Sequence, residues 1–206
     1  MKCSSDRCTL RHVRTLFGIA LSLAIASAAP AAGQRLSVDL DQSRIEVQVH
    51  ATMDSFTARL TAFEPAIVYD PERAQILSAS LGFRFQDVNT GNIKRDRQMH
   101  EWQQTAEYPL ARFELINIES VEPSGLRARG ALTLHGITRE LEFAVVVTGN
   151  HDQLSIDGEA PLDTRHFGLK VIRKFGLLKV SPEVVVHFHL QGRLEPSNRG
   201  THEGSQ

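Results

Sequence analysis

Apolar and polar residues alternate along most of this chain. In "RIEVQVHA" (44–51), Ile45, Val47 and Val49 fall on one side, against Glu46, Gln48 and His50. "LSASLGFRF" (77–85) puts Leu77, Ala79, Leu81, Phe83 and Phe85 together, and "LRARGALTLH" (126–135) does the same with Leu126, Ala128, Leu132 and Leu134. "LEFAVVV", "LSIDGEA" and "VVVHFHL" continue the pattern. A period of two is the signature of half-buried β-strands. Turn-forming clusters punctuate the runs: Tyr69-Asp70-Pro71-Glu72, Glu122-Pro123-Ser124-Gly125, Leu134-His135-Gly136 and Gly149-Asn150-His151-Asp152. Together they predict about eight to ten strands at the regular spacing of an antiparallel sandwich or barrel. A barrel hides its apolar face by closing on itself, which also removes free strand edges. The inward positions mix large residues such as Phe83, Phe85 and Phe188 with small ones, Ala79, Ala128 and Gly130. Small inward residues either leave room for a guest or offset bulky neighbours, and Gly130 also suits a bend.

One segment breaks the alternation. "NIKRDRQMHEW" (92–102) is polar but carries Met99 and the only tryptophan, Trp102. Residues three and four apart share a helix face, so Arg95, Met99, Trp102 and Ala106 form one stripe, with Asp96, His100 and Gln103 beside it. We expect one short amphipathic helix over about 92–106, capped by Asn92 or Thr90 and laid across a barrel end. Arg95 and Asp96 then sit at the rim. In one reading Arg95 ties the helix to a loop carboxylate and Trp102 seals the core; in the other, Arg95 faces the polar head of a ligand.

Composition narrows the class. Residues 11–16 are basic, 16–28 are apolar and "APAAG" (29–33) offers small residues for cleavage, the layout of a secretory signal peptide. The apolar run falls short of the ~20 residues of a membrane span, and no second run follows it. Residues 1–33 hold four of the 23 basic and one of the 24 acidic residues, leaving 19 and 23 in the remainder. A net charge of −4 there argues against a nucleic-acid binder, whose footprint is a basic face. Cys3 and Cys8 both precede the apolar run, so the expected mature domain (34–194, with a polar tail at 195–206) has no disulfide. Export from a Gram-negative cell would place it in the periplasm as a soluble protein.

Catalytic signals are sparse. His187 and His189 form an H-x-H pair on one strand face, as some zinc sites require, but Val186, Phe188 and Leu190 claim the opposite face and turn the histidines outward. His135 sits in a turn, where a backbone bond is its expected role. The sequence has no G-x-S-x-G, no glycine-rich phosphate loop and no cysteine after residue 8.

"KRDRQMHEW", "YPLARFEL" (108–115), "GALTLHGITRELEF" (130–143) and "TRHFGLK" (164–170), in that order, resemble the YceI-like family over about residues 36–192. The resemblance implies an extended, eight-stranded, lipocalin-like antiparallel barrel, exported and without enzymatic activity. It implies a bound polyisoprenoid or isoprenoid quinone and no other cofactor. The candidate wall is Leu81, Phe83, Phe85, Phe113, Leu132, Leu134, Phe143 and Phe188, with Phe167 closing another side and Arg95, Asp96, Met99 and Trp102 at the mouth. Ordinary core packing is the competing role for each wall residue. Two other functions stay open: a stress or interaction protein whose barrel is filled by its own side chains, and a metal-dependent enzyme. A free strand edge would also allow a homodimer.

Overall fold

The computed structural model describes residues 33–52, 54–122, 125–150, 152–174 and 178–196. The expected signal peptide and most of the expected tail lie outside them. Twelve strands and one α-helix follow in order: β1 (Gln34–Val38), β2 (Arg44–Ala51), β3 (Phe56–Leu60), β4 (Glu64–Asp70), β5 (Gln75–Arg84), β6 (Val88–Asn89), α1 (Ile93–Gln103), β7 (Leu110–Val121), β8 (Gly125–Leu134), β9 (Ile137–Gly149), β10 (Gln153–Asp163), β11 (Arg173–Lys174) and β12 (Leu178–Leu194).

The large sheet is antiparallel and closes. β12 pairs along its length with β10 (Asp157↔His189, Leu162↔Val184). Its other edge takes β1 near its C-terminal end (Leu36↔Leu194) and β2 further back (Val47↔Val186). β1 and β2 are thus one stave interrupted at 39–43, where the Asp39 carboxylate accepts from the backbone N–H groups of Asp41 and Gln42. β4 pairs with β1 and β3 with β2, so β3 and β4 form a second broken stave. β5 and β6 form a third, bent at the 3-10 turn Phe85–Asp87. With β7, β8, β9, β10 and β12 the result is an eight-stranded barrel, as the alternation and the resemblance anticipate. The 17 residues of β12 span on the order of 55 Å at ~3.3 Å each, which makes the barrel tall.

Inward residues follow the alternation, with informative exceptions. Leu77, expected inside, is 45% exposed, whereas Ile76 is buried. The β4–β5 register jumps here, from Val68↔Ser78 to Tyr69↔Ile76. Leu77 is the extra residue of a bulge, and a one-residue slip reverses which face a side chain takes. Ile116, also exposed, is the corresponding extra residue on β7, between Leu115↔Gly130 and Asn117↔Arg129. α1 is shorter than 92–106. Gln104 takes a left-handed conformation, φ 56°, and its N–H closes on the His100 and Glu101 carbonyls. Ala106 therefore lies beyond the helix and leaves the expected stripe.

At one end, Asp163 holds the 3-10 turn Thr164–Phe167. Its carboxylate accepts from the Arg165 backbone N–H at 2.9 Å and from the Arg165 guanidinium. Those side-chain hydrogen bonds push the Asp163 pKa down to about 2. A carboxylate depressed in the folded state stabilises fully above its unfolded pKa of about 3.9 and loses that contribution as pH falls through its folded value. Asp163→Asn is therefore expected to lower the melting temperature at neutral pH. Thermal melts should show the gap to wild type closing between about pH 4 and pH 2.

Candidate functional site

The barrel interior is not filled by its own side chains. A cavity of about 1090 Å³ runs inside it, lined by residues of β2, β3, β4, β5, β7, β8, β9, β10 and β12. Its wall is largely apolar, with Ser80, Arg173 and Ser181 the polar residues among the strand positions. Around Ile45, Ile67, Ile76, Ile118, Val145, Ile156 and Leu190 the lining stops. Leu36, Tyr69 and Leu154 are buried without lining it and close that end.

Glycines help keep the lumen open. Phe113 on β7, Phe143 on β9 and Phe188 on β12 form a chain of rings, with centroids 5.7 and 5.8 Å apart. Gly130 on β8 and Gly158 on β10 occupy the strands between them. A Cβ on Gly130 would stand 2.2 Å from the Phe113 ring, and one on Gly158 2.1 Å from the Phe188 ring. The missing side chains let the rings lie back against the sheet instead of projecting across the tube. Of the two roles open to Gly130, seating a bulky neighbour is the one observed.

α1 lies across the other end. Asn92 caps it, its side-chain oxygen accepting from the Lys94 and Arg95 N–H groups at 3.1 Å each. The Asp96 carboxylate reaches back to the Thr90 N–H (2.9 Å) and hydroxyl (2.6 Å), tying the helix start to the chain leaving β6. At the helix end, the buried Gln103 donates to the Tyr108 carbonyl and accepts from the Thr105 hydroxyl. Trp102 Nε1 donates to the Lys170 carbonyl at 2.6 Å, pinning the helix to the segment before β11. His135 completes the support: its Nδ1 lies 3.0 Å from the Phe167 carbonyl and its Nε2 2.9 Å from Gln104 Oε1. His135 and Gly136 both have positive φ, 50° and 70°, the geometry of a tight two-residue hairpin. That turn presents the imidazole to the Tyr108 ring, 4.3 Å away between centroids.

Eleven of the thirteen residues singled out from sequence line the cavity: Leu81, Phe83, Phe85, Arg95, Met99, Trp102, Phe113, Leu132, Leu134, Phe143 and Phe188. Asp96 does not, because its carboxylate is spent on Thr90. Phe167 does not either; it is fully buried in the 3-10 turn packed against β9 and β12. The cavity also takes Ile45, Val47 and Val49, which alternation had put on one face, and Phe56, Lys94, Lys170 and Arg173. Short β3 gave no clear signal for Phe56.

Arg95 is the unusual group. Its guanidinium lies 4.1 Å from the centre of the Phe56 ring. Its Nη1 is buried without a hydrogen-bond partner, and among the described residues no carboxylate pairs with it. The cation–π contact contributes ~0.5–2 kcal/mol, but an unmet buried donor costs ~1–3 kcal/mol. A guest with an oxygen at this height would satisfy it.

The histidine pair lies outside the barrel. His189 Nδ1 is 2.7 Å from Asp157 Oδ1, and His187 Nδ1 is 3.8 Å from Glu159 Oε2. Burial works upward on the Asp157 carboxyl, yet hydrogen bonds from His189 and Ser155 outweigh it and hold its pKa below the usual range. Among the described residues no group of three or more His, Cys, Asp or Glu side chains is placed to hold a metal ion.

The YceI-like domain model matches residues 36–192, and the chain belongs to that family. No curated protein matches the sequence. The fold is similar to the crystal structure of Burkholderia cenocepacia BcnA, with TM-score 0.66 and 23% identity over 75% of this chain and 99% of that one. It is also similar to the Campylobacter jejuni YCEI protein (TM-score 0.59, 15% identity, 69% and 87% covered). A polyisoprenoid binding domain from Saccharophagus degradans aligns with TM-score 0.57 and 16% identity, over 81% of this chain and all of that domain (100%).

The seating of the rings has a measurable consequence. Gly158→Ala should drive the Phe188 ring off the wall and destabilise the barrel by about 1–3 kcal/mol in urea unfolding. Adding Phe188→Leu should recover most of that loss, giving a double-mutant coupling well above the ~0.5 kcal/mol expected of independent sites.

Proposed function

We propose that this protein binds a polyisoprenoid lipid, a prenyl chain or isoprenoid quinone, inside the barrel and carries, stores or sequesters it without chemical change. One observation carries the reading: an apolar cavity of about 1090 Å³, closed at one end, beneath a polar rim. At ~30 Å³ for a water-sized group, it has room for several isoprene units. Burying one such unit stabilises the complex by roughly 3–4 kcal/mol gross at ~0.8 kcal/mol per carbon. Ordering a flexible chain takes back much of that, so several units are needed. The tail therefore sets affinity, while Arg95 and its neighbours orient the head. The family and the polyisoprenoid-binding neighbour support this choice of lipid. An N-terminal signal peptide would take the protein to the periplasm, where a lipid with a long apolar tail needs a carrier.

Protein purified without detergent, extracted and analysed by mass spectrometry, is expected to release an isoprenoid in near-stoichiometric amount. Ala79 lines the cavity and is only half-buried, so Ala79→Trp should occupy the lumen. That variant is expected to melt no lower than delipidated wild type, while its lipid yield falls severalfold. Equal yields from both proteins, or a wild-type extract without any amphiphile, would sink the proposal.

A further inference from the structure

A guest confined to a tube with one closed end must enter through the mouth, and that mouth has a distinctive surface. Its lining carries Lys94, Arg95, Lys170 and Arg173 against Asp54 and Glu101. The turns at the opposite end of the barrel carry Glu72, Glu122 and Asp152; of the basic residues there, Arg73 is paired with Asp70, and Arg35 and Arg193 lie in the adjoining strand ends. The whole chain has a formal charge of −1, so the positive mouth is local. Ile93, the first residue of α1, is 82% exposed. It stands between Asn92 and Lys94, both of which line the cavity, but does not line it itself. It lies instead on the outer side of the helix with the exposed Arg97, on a face that also holds Glu101 and Asp96, the latter engaged by Thr90.

An isoleucine left in water at the start of a capped helix has no role in holding the barrel. Beside cations at the edge of an apolar opening it matches the interface of a bilayer, where an apolar side chain enters the acyl boundary and basic residues meet head groups. We infer that the α1 end of the barrel docks on an anionic lipid bilayer through Ile93 and Arg97, so that the cavity opens toward the membrane surface. The inference deepens the lipid-carrier reading by naming the surface from which the guest is exchanged. The polarity of the two ends would turn the mouth, rather than the acidic turns, toward such a surface on approach.

The test uses delipidated protein lacking the expected signal peptide at 1–33 and two vesicle preparations, phosphatidylcholine alone and phosphatidylcholine with phosphatidylglycerol. In flotation, wild type is expected to associate with the anionic vesicles, less so as salt rises, and little with the neutral ones. Ile93→Glu combined with Arg97→Glu should reduce that association about tenfold or more. Uptake of a prenol from detergent micelles should be unchanged in the variant, since neither residue lines the cavity. Equal partition onto both vesicle types, or undiminished binding by the variant, would overturn the docking face. So would a variant that also fails to load from micelles. Wild type that floats but takes up no prenol would instead count against the carrier reading and leave the docking face standing.

Discussion

Closure of the sheet through β12 is the constraint on which everything else rests. This strand pairs with β10 on one side and with β1 and β2 on the other. Without those last pairings the sheet would present two open edges and a continuous apolar face to water. Closure also fixes the circumference at eight staves, a size at which side chains either fill the interior or leave room for one ligand. Here the inner residues fall on the second side of that balance. Alanines at 79, 128 and 160 face the lumen, and Gly130 and Gly158 draw the phenyl rings back to the wall. A cavity of this size forgoes dispersion contacts that a filled core would make. The barrel tolerates the loss because its staves are long and their pairing closes around the ring.

The helix shows the same division between support and vacancy. Its two ends are fixed by hydrogen bonds: Asn92 and Asp96 at the start, Gln103 and Gln104 at the finish, the last to the distant His135. Trp102 adds one bond to the opposing segment. The middle of the inner face, by contrast, presents Arg95 with a donor unmet. Among the described residues no acid moves in to neutralise it. Local capping can thus hold a costly group in place.

The outline of this architecture was legible because alternation reports directly on which side of a sheet a residue faces. Ile45, Val47 and Val49 point into the cavity as the pattern required. Bulges are what the pattern misses. A single extra residue at Leu77 or Ile116 reverses the local phase, and nothing in either stretch announces it, since both residues are as apolar as their inward neighbours. The broken staves were hidden for a related reason: continuity across 39–43 or 61–63 is set by pairing with distant strands. At the helix, spacing placed Arg95, Met99 and Trp102 correctly. Asp96, expected beside them, bonds the Thr90 N–H and hydroxyl, because a short carboxylate near a helix start readily meets backbone donors. Phe167 looked like wall but lies in a 3-10 turn whose position depends on β9, β12 and His135.

The closed far end decides how a guest must sit. Leu36, Tyr69 and Leu154 are buried across it, so a chain bound as proposed would enter tail first and keep its head at the mouth. For the proposed lipid the order of events would follow from geometry: apolar burial would accumulate as the tail slid inward, and only when it was nearly complete would the head reach the height of Arg95. A polar partner met last cannot draw the ligand in, but it can slow departure, because leaving begins with breaking that contact. The greasy wall would therefore govern which molecules are accepted, and the rim how long they stay.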